Sequence, residues 1–368
     1  LDDKGKLVVL SSVMEALHEL RPEEFAAYAP IIGIPEYKEA VTKAVFLDEV
    51  PQDLFIETCY APGGTGALRN AISCYSSPGD KILTADWHWA PYNVIAAELG
   101  REVKTYTLFD EDYHFNDASF RKSLREILAV QDQAVVIINT PAHNPTGYTF
   151  TLEDWDKVID IFKSFPNKNI ICVVDIAYLD FAGEAYEYRA FLKKLSGLPH
   201  HILPLIAFSA SKGFTMYGMR CGALLCMAPT AELAKEFRDA ASVASRASWS
   251  NGNHSAMAVI SKIFADDALL AKVTDERNHY MQILQERGRA FMEEADKIGL
   301  KCCPYDSGFF ITVPCENAEA VGKALQALNV FAIPLGPGIR VSVASNTVEE
   351  CRAIPGRLQQ AIESVNGK

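Results

Sequence analysis

The sequence predicts an α/β protein, with a large and mostly parallel sheet and a smaller α+β unit after it. Three observations carry this. Short apolar runs alternate with stretches of helical period through the middle of the chain. The texture changes after about Ala265, where one long charged helix gives way to short strands. The length of 368 residues exceeds one small module and, at roughly 150 residues per domain, points to two. We place the large unit at 26–265 and the small one at 1–25 with 266–368.

Ser11–Leu20 reads as a helix that completes or covers the small sheet. Ala134–Asn139 (AVVIIN) is a β-branched run too short for a helix and reads as a buried strand. Thr151 opens a helix, with Asp154 three residues on and Leu152, Trp155, Val158, Ile159 and Phe162 on one face. Ile170–Asp175, Leu203–Phe208 and Gly222–Met227 are three further buried strands. Asp267–Lys297 is the long charged helix. Short strands follow at Phe309–Val313, Phe331–Pro334 and Arg340–Ala344, with a helix near Ala318–Leu328.

Acidic residues number 47 and basic residues 35, a net charge of −12, which argues against nucleic acid or an anionic membrane as partner. The nine cysteines include no CxxC pair and mostly sit in apolar runs, so they read as buried thiols of a reducing cytoplasm. No apolar run nears the roughly 18 residues of a membrane span, and the charged start LDDKGK is no signal peptide.

In a parallel α/β sheet, ligands bind beyond the carboxyl ends of the strands, so the residues there are informative. APGGTGALR (61–69) is a Gly-rich turn feeding a helix, a phosphate cradle in which Gly63, Gly64 and Gly66 let the backbone approach the anion and Thr65 offers a hydroxyl; as a plain turn before a helix it would need no ligand. TPAHNPTG (140–147) is an apt turn sequence, yet it also puts the Asn144 amide at a strand end. Asp175 ends an apolar strand, where a carboxylate needs a cap, an ion pair or a cationic ligand nitrogen. Tyr178 follows. Lys212 comes directly after another buried strand, where desolvation would free its amine to attack an aldehyde. Ser209, Ser211 and Arg220 could hold a phosphate beside it. One ligand unites these demands: pyridoxal 5′-phosphate (PLP).

The chain resembles the fold-type I PLP-dependent aminotransferases, class I, of the aspartate and aromatic kind. YAPIIGIPEY (28–37), GGTGALR, HNPTG, DIAY (175–178), SASK with Arg220, RASWSN (246–251) and IRVSVA (339–344) stand in family order. The resemblance implies a mostly parallel sheet of the seven-stranded type. It implies that Lys212 holds PLP as a Schiff base and later shuttles the substrate proton, and that Asp175 faces the ring nitrogen. Asn144 and Tyr178 would bind the ring oxygen. Gly64, Thr65, Gly66, Ser209, Ser211 and Arg220 would line the phosphate side, and Trp89, rather than Trp87, would stack on the ring. Tyr92 would support Asp175. Arg340 would bind the substrate α-carboxylate, with Trp89 and Asn144 beside it. Tyr28 and Arg246 would cross a homodimer boundary to the neighbouring site, Arg246 reaching a distal carboxylate.

The resemblance therefore implies amino-group transfer between an amino acid and a 2-oxo acid by a ping-pong mechanism. Aspartate or glutamate with oxaloacetate or 2-oxoglutarate is the expected pair, and aromatic substrates are the alternative. A PLP-dependent lyase or β-decarboxylase on the same fold is a further reading, which Arg246 argues against. A nucleotide-binding protein lacks its glycine fingerprint here. Two departures stand out. Gly252-Asn253-His254 occupies the place of a Pro-Pro pair, and the family's Gly-containing closing loop lies before the aligned DDKGK segment.

Overall fold

The computed structural model describes residues 1–367. Seven strands form the main sheet: β1 (Phe55–Ala61), β2 (Lys81–Ala85), β3 (Glu102–Tyr106), β4 (Gln133–Asn139), β5 (Asn169–Asp175), β6 (Ile202–Ser209) and β7 (Gly222–Ala228). Their spatial order is β1-β7-β6-β5-β4-β2-β3. Only β7 runs against its neighbours; the other pairings are parallel. A second sheet has the order β8 (Phe310–Pro314), β10 (Gly338–Ser342), β9 (Ile333–Leu335), all antiparallel.

The helices of the first part are α1 (Ser11–His18), α2 (Pro22–Ala26), α3 (Pro35–Phe46), α4 (Gly63–Tyr75), α5 (Pro91–Glu98), α6 (Asp117–Leu128), α7 (Leu152–Lys163) and the single turn α8 (Ala210–Gly213). Those of the second are α9 (Ala231–Ser248), α10 (His254–Ala265), α11 (Asp267–Ile298), α12 (Ala318–Ala327) and α13 (Val348–Val365). The expected capping box of α7 is present: Thr151 Oγ1 accepts from Asp154 N, and the Asp154 carboxylate accepts from Thr151 N.

The central strands are apolar on both faces because both faces are covered. Val136, Ile138, Cys172 and Val174 point into one core, which α6, α7 and α10 close. Val135, Ile137, Ile171 and Val173 point into the other, closed by α4, α5 and α9. Period-two alternation thus splits each strand between two cores. A third core joins the small sheet to α12, α13 and the C-terminal part of α11.

The N-terminal helix departs from expectation. Leu10, Val13 and Ala16 pack into the large core with α10 and the start of α11, not onto the small sheet. Its amphipathic face is generic, and the apolar surface it meets is the one these two helices present. The extended start does touch the small unit: the Arg287 guanidinium donates to Leu1 O and pairs with Asp3, and the Leu1 amino group donates to Ala344 O. Helix α11 serves two cores, with Leu269 and Val273 in one and Leu284, Phe291 and Ala295 in the other. It ends at Gly299, whose φ of 69° is the left-handed cap that glycine accepts.

Candidate active site

The carboxyl ends of β4, β5 and β6 and the start of α4 converge on one cleft. It is lined by Gly64, Thr65, Trp89, Asn139, Asn144, Asp175, Tyr178, Ser209, Ser211, Lys212, Tyr217 and Arg220, with Leu68 and Ala177. The first turn of α4 has no capping side chain and no acidic residue, so its N–H groups are free for an anion. Gly63 opens that turn at φ 74°, and a Cβ there would lie 2.7 Å from Arg220 Nη2. Arg220 itself has a left-handed backbone (φ 51°) and points Nη1 at Ser211 Oγ, 3.4 Å away. Ser209 Oγ accepts from Ser211 N at 3.3 Å. Two hydroxyls, a guanidinium and a helix N-terminus thus make one concave anion cradle.

Asp175 ends β5 and is 4 % exposed. Burial raises its pKa; the Tyr92 hydroxyl, which donates to Oδ2 at 2.7 Å, and the positive charge of Lys212 oppose that rise. Ala177 N donates to Oδ1 at 3.1 Å. Lys212 sits half-buried in α8 with Nζ 5.1 Å from the Tyr178 ring centre. Burial lowers its pKa; Asp175 works against that and Arg220 adds to it. A lysine so placed loses its proton more readily than a surface lysine, as a nucleophilic amine requires.

Asn144 links the groups. Its Nδ2 donates to the Tyr178 hydroxyl at 3.2 Å, and its Oδ1 accepts from Arg340 Nη1 at 2.9 Å. Arg340 lies on β10 with its guanidinium 4.3 Å from the Phe310 ring centre, and burial lowers its pKa. The small sheet therefore delivers one cation to the mouth of the large sheet. Asn139 is a residue the sequence reading missed. Its Nδ2 donates to Asp175 O at 2.8 Å, and its Oδ1 accepts from Asn144 N at 2.7 Å, locking the ends of β4 and β5 together.

The two tryptophans separate. Trp87 is buried in the core, whereas Trp89 lines the cleft and meets Tyr92 edge-on at 5.6 Å. Gly66 is not brought into the cleft. A Cβ there would come within 2.4 Å of the Pro62 ring, so its smallness serves the packing of α4. Tyr28 is 87 % exposed and Arg246 ends α9 at the surface, donating to Ser250 Oγ at 2.7 Å; neither lines the cleft. Among the departing residues, Asn253 N donates to the Tyr60 hydroxyl, which in turn donates to Arg220 O at 2.7 Å. A Cβ on Gly252 would collide with the Tyr60 ring.

An α/β frame with a desolvated lysine, a buried carboxylate and an anion cradle at its strand ends defines a cofactor-dependent group-transfer enzyme. The chain belongs to the class I and II aminotransferase family, whose model matches residues 1–358. It is 31 % identical to the mitochondrial aspartate aminotransferase of Schizosaccharomyces pombe, over 73 % of this chain and 61 % of that protein. It is 29 % identical to the aromatic-amino-acid aminotransferase of Escherichia coli, over 91 % and 85 %. Its fold matches an aminotransferase from Anaerococcus prevotii with a TM-score of 0.95 at 35 % identity, covering 98 % of this chain and 89 % of the other. Enzymes of this family work with PLP. The residues present fit that group: a Cβ at Gly63 would crowd the Arg220 guanidinium of the cradle, and a buried carboxylate and a lysine of lowered pKa share the cleft with Arg220. No helix among the described residues is long and apolar enough to cross a membrane.

Proposed function

We propose that this protein transfers the α-amino group between an amino acid and a 2-oxo acid by a ping-pong mechanism, with aspartate or glutamate and oxaloacetate or 2-oxoglutarate as the pair. One observation carries the reading: the Lys212 amine, its pKa lowered by burial, shares a cleft with Asp175, Asn144 and Tyr178. PLP bound there supplies a carbonyl for the amine and a ring that withdraws electrons. The protein supplies the rest. Gly64, Thr65, Ser209, Ser211 and Arg220 hold the phosphate. Asp175 faces the ring nitrogen; burial raises its pKa, and the Tyr92 hydroxyl and Lys212 work against that rise. Asn144 and Tyr178 face the ring oxygen, and Trp89 covers the ring. Arg340 grips the substrate α-carboxylate with its planar fork, and Asn144 holds Arg340 in place. Lys212 Nζ then carries the proton from the substrate Cα.

The same proposal includes a homodimer in which Tyr28 and Arg246 serve the neighbouring site. Their surface positions, away from their own cleft, support it. It keeps 26–265 as the cofactor-binding unit and 1–25 with 266–368 as the small one, although α1 itself packs on the large core. The nine unpaired thiols support a reducing cytoplasm.

A specific observation favours the aromatic reading as well. A second pocket meets the first at Lys212 and Tyr217 and is lined by Leu7, Phe181, Tyr280, Ile283, Leu284 and Phe309. An apolar wall beside the reacting amine suits a large apolar side chain. The deciding experiment is an absorbance spectrum of PLP-loaded protein before and after each amino acid, with no oxo acid present. Loss of the visible band with aspartate supports the dicarboxylate pair. Loss only with phenylalanine or tyrosine moves the substrate to the aromatic class. No visible band after PLP is supplied would overturn the reading.

A further inference from the structure

We propose that Asp180 is a positioning residue for Lys212, tying the lysine turn to helix α11. The proposal rests on the role of Lys212 given above and adds a residue that nothing in the sequence pointed to. Asp180 stands two residues after Tyr178, in the short turn Leu179–Phe181. Its Oδ2 fills the space beside Gly213, the residue that follows Lys212: a Cβ on Gly213 would lie 2.2 Å from that oxygen. The carboxylate is therefore packed against the backbone of the lysine turn itself.

Two arginines fix the carboxylate from different elements. Arg189 Nη2 donates to Oδ1 at 2.8 Å. The same guanidinium donates to Val45 O and Ala44 O, each at 3.1 Å, and so is anchored on the end of α3. Arg277, on α11, places Nη1 3.4 Å from Oδ2. Its guanidinium also lies 5.8 Å from the ring centre of Phe214, the next residue of the lysine turn. Burial favours the neutral acid, but the two guanidiniums outweigh it, so the Asp180 pKa is lowered and the group is an anion. The side chains of Asp180, Arg189 and Arg277 are 13, 6 and 15 % exposed.

Stability alone is a weak reason for such a cluster, because a buried ion pair gains little over packed apolar residues. What the cluster adds is direction. It fixes the height of Gly213 relative to Tyr178, and through Arg277 it joins both to the helix that runs on into the small unit. A displacement of about 1 Å at a reacting group can cost on the order of 100-fold in rate. Removing the clamp should therefore misplace the amine and leave the cofactor and carboxylate contacts in place.

The test uses the full chain as wild type, Asp180→Asn, Arg277→Gln and Arg277→Lys. Each is mixed with PLP, and the rate of appearance of the visible band is followed, with kcat and KM measured separately on an accepted substrate pair. Asp180→Asn and Arg277→Gln should form the band about tenfold more slowly and lose about tenfold in kcat, with KM within about twofold; Arg277→Lys should recover most of both. Should Asp180→Asn fail to fold, Arg277→Gln carries the test, since Arg277 lies at the outer edge of the cluster. Band formation and kcat within about twofold of wild type in a variant that only melts earlier would overturn the proposal and leave the Lys212 reading intact. A wild-type protein that forms no band would overturn both.

Discussion

The Tyr92 hydroxyl donates to Asp175 Oδ2 at 2.7 Å, and both groups are almost wholly buried. One hydrogen bond to the carboxylate at the floor of the cleft thus works against burial, which raises the Asp175 pKa. Tyr92→Phe removes that support and little volume. A hydrogen bond to a charged group is worth about 1.5–3 kcal/mol, so PLP should dissociate about 10- to 100-fold more readily. Equilibrium dialysis against PLP checks this, and an unchanged dissociation constant would contradict it.

Arg340 presents two parallel donors and is held by Asn144 Oδ1. Lysine keeps the charge and loses the fork. Arg340→Lys should lower kcat/KM by at least about tenfold for every amino acid alike, because all share the α-carboxylate. A loss confined to one substrate would assign Arg340 to side-chain recognition instead.

Gly63 combines a positive φ with contact against Arg220. Gly63→Ala should cost about 1–3 kcal/mol of stability from backbone strain alone. It should also push Arg220 out of the cradle and weaken the binding of free inorganic phosphate to the PLP-free protein. Chemical denaturation and a phosphate titration measure the two effects separately.

His143 is buried beside Thr146, its Nδ1 2.8 Å from Oγ1. Burial, with the nearby His88, pushes its pKa down to about 3. The unfolded chain takes up this proton near pH 6.5 and the folded one only near pH 3. Between those values the unfolded state binds more protons, so stability falls as the pH falls, by up to about 1.4 kcal/mol per pH unit from this group. His143→Gln should flatten the denaturation midpoint against pH between 6.5 and 4, relative to wild type.

The parts of this fold that the sequence announced are those where several local rules agree. β4, β5 and β6 are continuous apolar runs ending in polar residues, and the site follows from those ends. Thr151 and Asp154 spell a helix start. The strands at the sheet's flanks were harder to see. β1 carries Glu57, which pairs with the distant Lys38 and Arg238, and β3 is an edge strand that buries only Tyr106 and shows no alternation. Asn139 looked like the mere end of an apolar run, because its partners are backbone groups of another strand and of the next turn. Asp180 lies in a stretch of ordinary polarity, and its two arginines are 9 and 97 residues away. Gly66 read as part of a cradle because a glycine needed for packing and one needed for a ligand look alike in sequence. Distant partners decided β1 and Asp180, and no window of a few residues contains them; the contact of Gly66 with Pro62 is local, but its geometry shows only once the turn is folded.

Helix α11 belongs to two hydrophobic cores at once, and its 32 residues span about 48 Å at 1.5 Å per residue. A rod clamped at both ends cannot fray on one side without loosening the other. The large and small units should therefore melt together, in one calorimetric peak whose width reflects the whole chain. Amides at the waist of this rod, around Arg277 and Tyr280, should exchange only on global unfolding, although that waist runs along the boundary between the cores.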